Sequence, residues 1–150
     1  MKEPTQTELL EIYKLHAELA DRVSQRREVA NRLYISLLSG LVFFVGIFAD
    51  LGIIDSHPKI IFVGIAMLGV IISLSWLVVI RSYRQLNSGK FKVLDELEDM
   101  IAFPFFRREW EILEKGEKPS RYWKLTTVET FLPIIFCLLF GGFIVMMLFF

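Results

Sequence analysis

Three long apolar runs constrain this sequence more than any other feature. They cover residues 33–54, 60–80 and 131–150, are 20 to 22 residues long, and contain a single charged residue, Asp50. About 20 helical residues, rising about 1.5 Å each, cross the roughly 30 Å hydrocarbon core of a bilayer. Because a helix satisfies its backbone polar groups within one segment, each run predicts a transmembrane helix.

The composition agrees with a membrane protein. Hydrophobic residues make up 54% of the 150-residue chain, more than a soluble domain of this length could bury. Lysine plus arginine balance aspartate plus glutamate at 17 each, so no net charge favours nucleic acid and no nucleic-acid partner is expected. The start of the chain lacks the apolar core of a cleavable signal peptide, so the first run is expected to stay as an anchor.

The basic residues predict an orientation. They concentrate before the first run and between the second and third, whereas the link DSHPK between the first two runs offers only Lys59. Because positive charge favours the cytoplasmic side, we expect a multi-pass protein of the bacterial inner membrane with a cytoplasmic N-terminus and an external C-terminus. The predicted order is a cytoplasmic helix (1–32), a span (33–54), an external turn (55–59), a span (60–80), a cytoplasmic extension (81–101), an aromatic connector containing a short helix (102–126), and a third span (127–150).

The first two spans are predicted to continue into water as amphipathic helices. Thr5 and Glu8 form a capping-box pattern, and no Gly or Pro interrupts the chain from there to Ser39. Each extension carries an apolar stripe at helical spacing. The first stripe contains Leu9, Ile12, His16, Leu19, Val23 and Ala30, and the second contains Tyr83, Leu86, Lys90, Leu94, Leu97 and Ile101. Two such stripes predict an all-α membrane protein with three transmembrane helices, the first two extended into a cytoplasmic antiparallel hairpin.

Local signals predict the ends of the later helices. Pro104 is expected to end the preceding helix, and RREWEILEK reads as a short amphipathic helix closed by Gly116. The stretch TTVE, from Thr126 to Glu129, is a second capping-box pattern before the third span. Pro133 is expected in the first turns of that span, where a missing N–H costs little.

A collar of polar residues is predicted at the inner ends of the first two spans. Its cations need carboxylates or an anionic ligand, and two interpretations remain open. One is a structural salt-bridge layer; the other is a site for a nucleotide, another anionic signal or an anionic lipid. The collar comprises Arg22, Arg26, Arg27, Asn31, Arg81, Tyr83, Arg84, Asn87 and Lys90, with Glu98, Glu109 and Glu129 as candidate partners.

Small residues at helix-packing spacing recur in all three spans. They indicate either packing within the chain or contacts between subunits, and Asp50 either reaches the membrane interface or lines a pore. The set is Ser36, Gly40, Gly46 and Asp50 in the first span, Gly69 and Ser73 in the second, and Gly141 in the third. Any pore would need several chains and an apolar constriction, since the spans lack a polar lining.

Catalytic and metal-binding patterns are absent from the sequence. His16 and His57 are expected on opposite sides of the membrane, and Cys137 is the only cysteine. Neither a nucleophile motif nor a phosphate-binding glycine loop occurs. We therefore expect a protein that is not an enzyme and has no cofactor or metal.

Two resemblances bear on function. The stretches DRVSQRREVANRLYISL, SYRQLNSGKFKVLDELE and REWEILEKG with RYWKLTTVETFLPIIF resemble a family of small, uncharacterised bacterial integral membrane proteins. The layout of an N-terminal helix, two spans and a cytoplasmic helix resembles SLATT domains, which implies a pore-forming or membrane-disrupting effector of bacterial immunity. The third span and the aromatic connector depart from that second layout.

These observations lead to two functional hypotheses. The first is a self-associating membrane effector or channel-like component, with antiphage defence as one role. The alternative is a non-conducting scaffold or accessory subunit that binds a cytoplasmic protein through the connector. Both predict a homo-oligomer in a lipid bilayer.

Overall fold

The chain is all-α. The computed structural model describes residues 4–52, 59–101, 103–113 and 125–149, and all regular structure within these ranges is helical. The helices are α1 (Gln6–Asp50), α2 (Lys59–Glu98), α3 (Phe105–Ile112) and α4 (Leu125–Phe149). Three of them, α1, α2 and α4, are long and apolar enough to cross a membrane. The predicted fold class is confirmed.

The capping box predicted at the start of α1 is present. The Thr5 backbone N–H donates to the Glu8 carboxylate over 2.7 Å, and the Glu8 N–H donates to the Thr5 hydroxyl over 3.3 Å. These bonds satisfy N–H groups that the first helical turn leaves without intrahelical partners. The helix then continues without a break to Asp50.

A glycine ends α1 earlier than the apolar run suggests. Gly52 has a φ of 67°, the left-handed conformation that glycine adopts at helix C-termini. Its N–H donates to the Ala49 carbonyl over 3.1 Å, and the Leu51 N–H donates to the Ile47 carbonyl over 3.0 Å. The helix therefore ends at Asp50, whereas the predicted span continues to residue 54.

The chain between α2 and α4 differs from the prediction in two places. The helix α2 ends at Glu98, and Pro104 is the N-cap residue of α3, where its lack of an N–H is tolerated. Leu125 is already helical, so α4 begins before Thr126. Gly116, which was predicted to close the short helix, lies outside the described residues, as does the external turn apart from Lys59.

Pro133 lies in the interior of α4, where it is buried. The prediction that it falls in the first turns is wrong, because the helix already includes residues from Leu125 onward. A proline at this position cannot donate a hydrogen bond to the carbonyl one turn earlier.

The described chain forms two compact units. The charged unit comprises Met1–Arg27 and Arg81–Val128, and the apolar unit comprises Glu28–Ile80 and Glu129–Phe150. Each unit has its own buried cluster. Residues of α1 and α2 contribute to both clusters.

The apolar unit packs α1, α2 and α4 around one cluster. Leu38, Ala66, Trp76, Ile80 and Phe140 are essentially inaccessible to solvent. A side chain added at Gly69 would place its Cβ 2.6 Å from the ring of Phe140. The absence of a side chain at this glycine therefore allows α4 to approach α2 closely.

The charged unit buries or half-buries most of the stripe predicted on α1, and Tyr13 and Ala20 beside that stripe are buried as well. Its cluster contains Tyr13, Ala20 and Leu94, with Phe106 of α3 packed against them. Val23 and Leu94 of the predicted stripes are buried, but Ile12 and Leu86 are 39% and 51% exposed. The buried face of α1 is therefore centred on Tyr13 and Ala20, because the tyrosine hydroxyl finds a partner there and alanine permits close helix contact.

We predict that Gly69→Ala destabilises the apolar unit by about 1–3 kcal/mol, the usual cost of overpacking a tight core. The added methyl group collides with the Phe140 ring, which must shift. The matched control is Gly46→Ala, because a Cβ at Gly46 meets no atom within 4 Å. Unfolding of the purified protein in increasing dodecyl sulfate, followed by circular dichroism, measures the difference. Equal midpoints for the two variants would contradict close packing at Gly69.

Candidate functional site

The most completely satisfied polar site lies in the charged unit around Glu98. This carboxylate is 2% exposed and accepts the Tyr13 hydroxyl over 2.9 Å. It also accepts the backbone N–H groups of Phe106 and Arg107, over 2.6 and 3.1 Å. Those two N–H groups belong to the first turn of α3, where no intrahelical acceptor exists. Glu98 thus caps α3 from another helix and links it to α1.

The contacts of Glu98 differ from the predicted pairing with collar cations. Within the described chain its partners are one phenol and two backbone amides. A buried carboxylate needs such donors to compensate for lost hydration, and the positive end of the α3 dipole adds favourable electrostatics. Its arrangement is that of a structural anchor.

The environment of Glu98 also changes the acid–base behaviour of Tyr13. Burial and then the hydrogen bond to Glu98 raise the pKa of the Tyr13 hydroxyl well above its usual range. An ionised tyrosine at this position would face a carboxylate, so the neutral form is strongly favoured.

A second link holds α3 through Arg107. Its guanidinium contacts the Asp95 carboxylate over 2.7 Å and the Asp99 carboxylate over 2.8 Å. It also donates to the Asp95 carbonyl over 3.1 Å. Hydrogen bonds to Asp95 and then Asp99 raise the pKa of Arg107 further above its already high value. Both carboxylates are exposed, and they hold the connector helix through this one arginine.

The contacts seen among the described residues do not join the predicted collar into one network. Arg22 pairs with Glu18 on its own helix over 2.8 Å, and both side chains are exposed. Arg26, Arg81 and Arg84 are exposed and form no ion pair with another described residue. The remaining members are half-buried, except for exposed Glu109 and buried Glu98: Arg27, Asn31, Tyr83, Asn87, Lys90 and Glu129. Within the described residues, Arg22, Arg26, Arg81 and Arg84 therefore form no ion pair across the helix pair.

Asn31 instead belongs to an aromatic contact in the apolar unit. Its side-chain oxygen accepts the indole N–H of Trp76 over 2.8 Å, and Tyr34 stacks on the Trp76 ring with centroids 5.6 Å apart. Because Trp76 is fully buried, its N–H requires an acceptor inside the unit. Trp76 was not among the residues predicted from the sequence, although an indole N–H within an apolar run requires a hydrogen-bond acceptor.

Asn87 has a different status in the charged unit. Its side-chain oxygen is buried and has no hydrogen-bond partner among the described residues. The residue as a whole is only half-buried.

The small residues separate into two groups according to their contacts. Gly69 packs against Phe140, and the Ser73 hydroxyl is buried and donates to the Gly69 carbonyl over 2.8 Å. By contrast, a Cβ at Gly40, Gly46 or Gly141 would meet no atom within 4 Å. The structure thus assigns the residues of α2 to packing within the chain.

Two residues of the predicted set on α1, Ser36 and Asp50, are exposed on the surface of the chain. Asp50 has no ion pair with another described residue. Helical spacing places both residues near the exposed Phe43 on one face of α1. This face carries most of the polar character of the first span.

Metal binding finds no support in the described ranges, which contain no group of three or more His, Cys, Asp or Glu side chains suited to an ion.

We predict that Tyr13→Phe removes a pH dependence from the charged unit. The folded-state pKa of Tyr13 is raised, so the unfolded tyrosine ionises first, at its ordinary pKa of about 10. The stabilisation of the folded state by the Tyr13–Glu98 hydrogen bond is complete below about pH 10 and falls as the pH rises above that value. The measured quantity is the protection of the α3 backbone amides from hydrogen exchange. Between pH 8 and pH 11, this protection should decrease more steeply in the parent chain than in Tyr13→Phe. At pH 8 the substitution should cost about 1–3 kcal/mol, since the lost bond involves a carboxylate.

Tyr83→Phe is the matched control, because Tyr83 is half-buried in the same unit and has no described hydrogen bond. Identical pH profiles for the parent chain and Tyr13→Phe would contradict the proposed role of this hydroxyl.

Comparison with known proteins identifies the family. The searches of curated proteins and of solved structures found no match. The profile of the Octameric membrane protein family (8xMP) matches residues 10–149, which is nearly the whole chain. That range includes the apolar parts of the three long helices, the Glu98 site and the Trp76 contact. The chain therefore belongs to the octameric membrane protein family.

Proposed function

We propose that eight copies of this chain assemble in the bacterial inner membrane into a channel-like effector. The observation that carries the proposal is the low burial of the apolar helices within one chain. In the 18-residue apolar segment of each helix, only 6% is buried in α1 and 11% in α4, compared with 33% in α2. Lipid and neighbouring subunits must cover the remainder, and the family is named for an octamer.

The outward face of α1 is the best candidate to line a central pathway. Ser36, Gly40 and Asp50 are open to contacts outside the chain, whereas the small residues of α2 are used within it. In a ring of eight, Phe43 would form an apolar constriction, which can gate a pore by excluding water. Asp50 would form a ring of carboxylates near one mouth, which favours cations.

The effector role, including antiphage defence, rests on the SLATT-like layout and on the absence of catalytic motifs from the sequence. Under this proposal the pathway is closed at rest and opens in response to a signal. The chain is oriented with its N-terminus in the cytoplasm, as the positive charges predict. Plaque formation by phages on cells with and without the protein tests the defence role.

A non-conducting scaffold is the second candidate. The exposed aromatic residues Phe103 and Phe105 of the connector favour it, because a cytoplasmic protein could cover them. This alternative predicts co-purification of a partner and no conductance under any condition.

We predict that Phe43→Ala increases ion flux through the reconstituted protein, because it removes the constriction from α1. Flux is measured in planar bilayers and by dye release from liposomes. Leu138→Ala on α4 is the control, since Leu138 is similarly exposed but lies on another helix.

Asp50→Asn should lower the preference of the channel for cations over anions, whereas Asp21→Asn in the charged unit should not. If neither the parent chain nor Phe43→Ala produces ion flux or dye release in these assays, the channel proposal is overturned.

A further inference from the structure

The helix α2 carries positive charge that it does not neutralise itself. Arg81 follows the apolar run of residues 60–80 directly, and Arg84 comes one turn later in the same unbroken helix. No aspartate or glutamate occurs on α2 before Asp95. Ion pairs within a helix form between residues three or four apart, so these two arginines have no acidic residue within reach on their own helix.

The arginines of α1 are arranged differently. Arg22 contacts Glu18 over 2.8 Å, and Arg32 contacts Glu28, so each arginine pairs with an acid one turn closer to the N-terminus. The N-terminal direction on α1 leads away from its apolar run, which begins at residue 33. These two side chains are therefore satisfied within the helix and turned away from the bilayer.

Arg81 and Arg84 share one exposed face of α2. Both are exposed, and neither has an ion pair with another described residue. Residues three apart lie about 60° apart around a helix axis, so the two guanidinium groups are neighbours. Ile80 is buried and Tyr83 is half-buried, so the packed side of the helix lies elsewhere.

The position of the two arginines along α2 places them at the depth of the lipid headgroups. They lie about 1.5 and 6 Å beyond Ile80, and the headgroup layer is about 5–8 Å thick on each side of the hydrocarbon. Side chains on a helix lean toward its N-terminus. On α2 that direction leads back into the bilayer, so both guanidinium groups lean toward the layer that contains the lipid phosphates.

The chemistry of this pair fits an anionic headgroup. A guanidinium presents paired N–H donors that match a phosphate, and hydrogen bonds between ionised groups are stronger than those between neutral ones. Two arginines side by side favour a headgroup with net negative charge, because a zwitterionic headgroup carries a cation beside its phosphate.

We propose that Arg81 and Arg84 together bind the phosphate of an anionic phospholipid. This interaction does not depend on the proposed channel or on eight copies of the chain. Because both arginines belong to a helix that continues unbroken from the apolar run, the bound lipid fixes how far α2 extends out of the bilayer.

Native mass spectrometry of the purified chain in mixed micelles measures the lipid that stays bound. We expect phosphatidylglycerol to bind more tightly than phosphatidylcholine. The double change Arg81→Gln with Arg84→Gln should weaken phosphatidylglycerol binding about 25-fold, which is about fivefold for each arginine. The helical content measured by circular dichroism should be unchanged, because both side chains are exposed.

Two further variants separate this site from a general effect of charge. Arg22→Gln with Arg108→Gln removes the same charge from two exposed arginines that already contact acidic residues, so the affinity for phosphatidylglycerol should be nearly unchanged. Arg81→Lys with Arg84→Lys keeps the charge but loses the paired donors, so it should retain part of the affinity.

Three results would overturn the proposal. The first is equal affinity of the parent chain for phosphatidylglycerol and phosphatidylcholine. The second is an equal loss of affinity in the Arg81/Arg84 glutamine variant and in the Arg22/Arg108 control. The third is displacement of the bound lipid by millimolar inorganic phosphate, which would assign the two arginines to a soluble anion.

Discussion

The burial of one carboxylate, Glu98, determines the arrangement of the charged unit. A carboxylate that is 2% exposed must replace its lost hydration with hydrogen bonds, and Glu98 obtains three of them from two other segments. The Tyr13 hydroxyl fixes α1, and the two backbone amides fix the beginning of α3. Glu98, at the end of α2, therefore joins three helices of this unit through one buried polar group.

The elements that local chemistry specifies were predictable from the sequence. The three apolar helices follow from segment length, and the capping box at Thr5 and Glu8 follows from residue type and spacing. The end of α1 was less clear, because the apolar run continues past Asp50. Gly52 supplies the missing signal, since a glycine after the last helical turn commonly adopts the left-handed conformation.

Contacts that join distant residues could not be read from local spacing. Glu98 was predicted to face cations, but its partners include Tyr13, 85 residues away. Most of the stripe predicted on α1 is at least half-buried, but Tyr13 was left out of it, because polar partners such as the Tyr13 hydroxyl do not enter an apolar pattern. The arginines of the collar were likewise expected to need partners on the other helix. Surface arginines such as Arg22 are satisfied by acidic residues one turn away, so they need no partner across the helix pair.

The contact between Trp76 and Asn31 has a consequence for biosynthesis. The acceptor is synthesised 45 residues before the indole that requires it, so the bond can form only once α2 lies beside α1 in the bilayer. Phe140 follows later still and closes against Gly69. The helices can therefore pack in the order in which they are synthesised, because each one contacts helices that were made before it. A ribosome stalled before Trp76 would leave the amide of Asn31 without the indole that it bonds in the finished protein.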